Sequence, residues 1–159
     1  MEGDRKSIWR NEVKCINGIS NTARGNKMQN FPEVTLKAIP HKNHRYETCG
    51  DYFKKGKKWL IVCSKMRSEY VFLVLIHEFV EWFLTQLRGI KEKDITAFDI
   101  KFEEERKHHL HTNEDEPGDD VHSPYFNEHK FATKIEKLCC EELKIDWDEY
   151  EETILRLFE

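Results

Sequence analysis

The chain is short of the residues that break a sequence into many parts, with seven glycines and four prolines among its 159 residues. Between Pro40 and Pro117 no proline interrupts it, so a long helix can run through that stretch without a forced break. Five cysteines, Cys15, Cys49, Cys63, Cys139 and Cys140, form no Cys-x-x-Cys pair, and an odd number does not suit a secreted disulfide framework. Adjacent residues in a helix point about 100° apart, which makes Cys139 and Cys140 poor partners for one disulfide. All five are read as reduced thiols used in packing. No signal peptide is read either, because the opening Met-Glu-Gly-Asp-Arg-Lys is charged with no apolar stretch behind it, and the cytoplasm is the expected compartment.

Length fits one domain with a real core, and the 35% of charged residues implies a heavily solvated exterior. The charge is uneven. Residues 1–58 carry thirteen Lys and Arg against six Asp and Glu, and residues 59–159 carry thirteen against twenty-four. A basic end of this kind can attract nucleic acid, yet only Lys54, Lys55, Lys57 and Lys58 cluster, around Gly56, and a solvated turn accounts for them. Nucleic acid is therefore not an expected partner.

What the chain does have is one apolar run, Val71 to Leu84, broken only by His77, Glu78 and Glu81. The run reads as a helix buried on most sides, too short and too interrupted for a membrane span. A buried carboxylate is unfavourable unless a cation, a donor or a proton neutralises it. Helical spacing stacks His77 and Glu81, four apart, on one face, with Glu78 about 100° around the cylinder. A bound metal ion would neutralise all three together. The alternative is ordinary pairing, with His77 donating to a backbone carbonyl and the two carboxylates meeting Arg or Lys from neighbouring elements.

The sequence His77-Glu78-Phe79-Val80-Glu81 resembles the His-Glu-x-x-His helix of the zincin-like metallopeptidases, with Glu81 in the place of the second His. The resemblance covers one helix. It implies that His77 and Glu81 are metal ligands and that Glu78 is the catalytic base that activates a water. It also implies a third ligand from a later helix. Zinc is the first expectation for the ion, and a carboxylate in place of an imidazole admits the harder manganese, iron or magnesium. The whole chain also resembles small proteins encoded by phages and bacteria, a likeness that carries no activity with it.

Around this helix the pattern predicts an α+β fold, a small antiparallel sheet followed by a bundle of about four helices, zincin-like in order. Residues 1–30 are polar and aperiodic and read as a loose or peripheral segment, leaving residues 31–159 as a single metal-binding domain. Strands are expected at Val34 to Ile39, Tyr46 to Phe53 and Lys58 to Cys63, the last two joined by a hairpin at Lys-Lys-Gly-Lys. Helices are expected from Ser68 to about Arg88, closed by Gly89, from Asp94 to about His108, from Ser123 and Pro124 onward, and from Asp146 to Phe158. On the second, Ile95, Phe98 and Phe102 form the inward stripe, with Asp99 bordering it and Glu103 read as solvated. On the third, Phe131, Ile135, Leu138 and Cys139 define the buried face, with Glu128 on that stripe and His129 at its edge. Glu128 or His129 is thus the expected third ligand, and Asp99 a further one. The loop from His109 to Ser123, with Asn-Glu-Asp-Glu-Pro-Gly-Asp-Asp at its centre, is acidic but lacks the spacing of a calcium loop and reads as solvated.

Three functions compete. The first is a metal-dependent hydrolase acting on peptide or amide bonds, with a peptide or protein as substrate. The second is a non-enzymatic protein that binds another protein and keeps a structural or vestigial ion, or none, with the acidic loop as contact surface. The third is a magnesium-dependent nucleotide pyrophosphatase, for which Glu78 and Glu81 match the first half of a four-carboxylate site while Asp99 and Glu103 have the wrong order and spacing for the second. No oligomeric state is readable.

Overall fold

A computed structural model describes residues 31–159; the expectation for residues 1–30 lies outside the described residues. The fold is α+β. Three strands, β1 (Val34–Ile39), β2 (Gly50–Lys55) and β3 (Lys58–Ser64), precede four helices, α1 (Ser68–Arg88), α2 (Glu92–Lys107), α3 (Phe126–Glu142) and α4 (Trp147–Leu155), with a 3-10 turn at Pro117–Asp119.

The sheet is mixed, not antiparallel as expected. Its order is β1-β3-β2, with β3 parallel to β1 and antiparallel to β2. The cause is the connection from Pro40 to Cys49, which carries the chain past a vacant strand position to the far edge. The hairpin then returns β3 into the gap, in the direction of β1. Gly56, at φ 65°, holds the first central position of that two-residue turn, where the chain needs a positive φ. As the central strand β3 is covered on both faces, and Ile61, Val62, Cys63 and Ser64 are buried.

The 14-residue apolar run extends into a 21-residue helix, α1, which is long and apolar enough to cross a membrane by length and composition alone. Length therefore does not carry the argument against a span. In the fold α1 packs against the sheet and α3 and buries His77 and Glu81 along with Tyr70, Leu73, Val74 and Trp82. Its N-cap is Arg67 and no side chain caps it, whereas Gly89 closes it in the left-handed conformation at φ 74°. Pro124 stands before α3 and not at its first position, because the chain turns through Ser123 to Tyr125 first. Asp146 caps α4 as expected, its carboxylate accepting from the Glu149 backbone N–H at 3.0 Å.

Two apolar clusters hold these layers together. Tyr52, Trp59, Ile61, Trp82, Ile95 and Tyr125 form one, and Cys63, Tyr70, Leu73, Val74, Cys140 and Tyr150 the other. On α1, His77 and Glu81 fall between the residues given to the second cluster and Trp82 of the first. On α3, His129 and Glu136 fall between Tyr125 and Cys140. The two helices run antiparallel, so their polar residues meet in one band across the core.

Candidate metal centre

The inward face of α3 is Glu128, His129, Ala132, Glu136 and Cys140. Phe131 and Leu138, read from the sequence as buried, are exposed. The helix is thus rotated from its expected orientation, because the carboxylates and imidazole of α3 find partners on α1 while its apolar residues at 131 and 138 do not pack inward. His77 and Glu136 pair at 2.8 Å, Glu81 and His129 at 3.1 Å, and Arg88 and Glu128 form an ion pair at the far end.

At the centre three atoms face one another. His77 Nε2 lies 3.2 Å from His129 Nδ1 and 3.5 Å from Glu81 Oε2, and His129 Nδ1 lies 3.1 Å from the same oxygen. All three residues are buried, and together they could hold a metal ion. Ligands about 2.0 to 2.1 Å from a tetrahedral zinc are separated from one another by about 3.3 to 3.4 Å, so the triangle already has the edges of one tetrahedral face. One cation would accept from all three atoms at once.

The far sides of the ligands are tied down. His77 donates Nδ1–H to Glu136 Oε2, and the Tyr150 hydroxyl donates to the other oxygen of Glu136. On His129, Nε2 pairs with Glu116 Oε2 at 3.2 Å and lies 3.6 Å from Asp119 Oδ1. Glu81 accepts from the Tyr52 hydroxyl at 3.0 Å on Oε1, leaving Oε2 for the centre. Each imidazole thus has a carboxylate on the nitrogen that faces away, the arrangement that orients a metal-binding histidine and raises its basicity.

Charges follow from this packing. Burial works against the charged form of His77, but the hydrogen bonds to Glu136 and Glu81 outweigh it and raise the pKa well above the ordinary value. His129 is likewise raised to about 10 against burial, by Glu116 and Glu81. Burial would raise Glu81, yet the two imidazoles bring it down to about 2. Glu78 behaves differently: burial and the neighbouring Glu81 push it well above the carboxylate range. Its carboxyl rests against Gly50 at the start of β2, where a Cβ would overlap it.

Comparison of the chain with protein-family models, curated proteins and solved structures returned no match. The residues themselves carry the argument. Of the ligands expected from sequence, His77, Glu81 and His129 come together, and two do not. Glu128 is buried but paired with Arg88. Asp99 does turn inward, but it accepts from the Tyr46 hydroxyl at 2.9 Å and the Tyr125 hydroxyl at 2.6 Å, and burial, partly countered by those donors, lifts it to about 7. Glu103, expected in solvent, is buried against Arg106 at 3.0 Å. Sequence reasoning missed Glu136 and Glu116. The first was findable, since it lies seven residues after His129, on one helical face. The second sits in the acidic loop and has no periodic signal.

That loop reaches the centre through Gly118, which is buried against the His129 ring so closely that an added Cβ would overlap Cγ and Nδ1. Gly118→Ala is expected to displace the loop or rotate the ring, lowering stability by about 1 to 3 kcal/mol in urea unfolding. A loss below about 0.5 kcal/mol would mean that the loop does not pack on His129.

Proposed function

We propose that the protein is a metal-dependent hydrolase of metallopeptidase type, with His77, Glu81 and His129 as the ligands of one divalent ion. The observation that carries this reading is the triangle of donors, at tetrahedral spacing, with a carboxylate behind each imidazole. Two histidines and one glutamate are the donor set of catalytic zinc sites that keep a fourth position for water or substrate. Zinc is the first choice, and manganese, iron or magnesium are the harder alternatives that a glutamate ligand admits.

An ion held there would bring the pKa of a water toward neutrality and polarise a substrate carbonyl. Glu78, beside His77 in the chain, is the proposed proton acceptor. Its raised pKa belongs to the ion-free protein, and a nearby dication would lower it again. Peptide or amide bonds are the proposed substrates, and the cytoplasm the proposed compartment.

The test is elemental analysis of untagged protein together with hydrolysis of a mixed peptide library, on the native chain and on Glu78→Gln. About one equivalent of metal in both, with hydrolysis by the native chain alone, is the expected result. Metal in both without hydrolysis would favour the second reading, a protein-binding factor with a structural ion. The burial of all three donors speaks for that reading, since structural ions are closed off from solvent. No metal in either, with both folded, would end the hydrolase reading and turn the search toward protein partners.

A further inference from the structure

His129 is held on three sides. Nδ1 faces His77 and Glu81, Nε2 faces Glu116 and Asp119, and one face of the ring rests on Gly118. Two of these three holds come from one short piece of chain, Glu116 to Asp119, which belongs neither to α1 nor to the body of α3. The piece is a 3-10 turn closed by the Asp119 N–H donating to the Glu116 carbonyl at 3.0 Å. Its approach is pinned separately, since Arg106 on α2 donates to the Asp115 carbonyl at 2.6 Å and the Asp115 carboxylate accepts from the Thr112 N–H at 2.6 Å.

Exposure differs sharply across this contact. The side chain of His129 is 7% exposed, but those of Glu116 and Asp119 are 58% and 65% exposed. The surface of the protein therefore meets the centre at this turn, and an ion or substrate that enters here must displace a few surface contacts and not a core helix. Nε2 carries one proton and faces two carboxylates, with Glu116 the nearer by 0.4 Å. A cation on Nδ1 withdraws charge from the ring and makes Nε2–H a stronger donor, so an occupied centre would hold the turn more tightly than an empty one. By reciprocity, a closed turn raises the affinity for the ion.

We propose that Glu116 is a positioning residue for His129 and that the turn from Glu116 to Asp119 is the gate of the metal centre, its closure coupled to ion binding. The inference rests on the metal reading above and adds its regulation. It assigns the acidic loop, which reads from sequence as a solvated stretch, a specific task.

The experiment uses the full chain and zinc itself. Zinc affinity is measured by competition with a chromophoric chelator for the native protein, Glu116→Gln and Glu116→Asp, and backbone amide exchange of the native protein is followed with and without saturating zinc. Expected are a fall in affinity of about 10- to 100-fold in Glu116→Gln, partial recovery in Glu116→Asp, and slower exchange over residues 115–120 when zinc is bound. The metal-free Glu116→Gln protein should melt somewhat below the native one, since Glu116 pairs with His129 there as well, and the recovery of zinc affinity in Glu116→Asp separates positioning from a merely structural role. Native zinc affinity in Glu116→Gln would overturn the positioning role. Exchange at the turn that ignores bound zinc would overturn the gate while leaving the metal centre standing. Failure of the native chain to bind zinc, manganese or iron would overturn the metal reading and the gate with it.

Discussion

Glu81→Gln is expected to reduce bound metal from about one equivalent to below about a tenth and to destabilise the metal-free protein by roughly 3 kcal/mol. Both effects follow from one position. Glu81 is 4% exposed and is the anion that both imidazoles face, with Oε2 3.1 Å from His129 and 3.5 Å from His77. An amide keeps the shape and still accepts from Tyr52, but it removes the charge that brings a dication or a protonated imidazole into the core. Removing one member of a buried charged group leaves the others uncompensated, which is why the loss is large even though the intact group adds little net stability. Elemental analysis after gel filtration and urea unfolding in chelator read the two effects independently. Full metal content in a folded Glu81→Gln protein would remove Glu81 from the ligand set, and with it the likeness to the His-Glu helix.

How much of this was legible in the sequence depends on which force decided each element. The hairpin at Gly56, the left-handed end of α1 at Gly89 and the cap at Asp146 are local, set by residues adjacent in the chain, and they stand where the sequence places them. Strand pairing is not local. Nothing in Val34 to Ile39 says whether β1 lies beside β2 or beside β3, and the connection of ten residues allows either. The centre was half legible for a related reason. On α1 the polar residues interrupt an apolar run, so their burial could be inferred. On α3 the same logic pointed the wrong way: a hydrophobic stripe through Phe131 and Leu138 outweighed a polar one through His129 and Glu136. The polar stripe went inward because each member had a partner waiting on another element, and a single sequence does not show partners.

The same carboxylates give the protein different pH responses with and without metal. In the metal-free state the pKa values of His77 and His129 are raised, so the stability they contribute is fully present below the unfolded histidine value near 6.5 and declines as pH rises, through about 10 for His129. Glu81, lowered to about 2, contributes stability that is present above its ordinary value and lost as pH falls toward 2. Metal-free protein should therefore be most stable between about pH 4.5 and 6.5 with respect to these groups, losing about 1.4 kcal/mol per pH unit for each histidine proton that only the folded state retains. Zinc removes the slope, because an ion can use His77 Nε2 and His129 Nδ1 only after their protons leave. Affinity should rise about 10-fold per pH unit for each proton displaced, hence about 10- to 100-fold between pH 6 and 7. Urea unfolding at pH 6, 7 and 8, in chelator and in zinc buffered at fixed free concentration, should give one falling and one nearly level series. Parallel series would mean that zinc binds elsewhere. A flat metal-free series would mean that His77 and His129 are neutral in the fold, so that no proton has to leave before the ion enters.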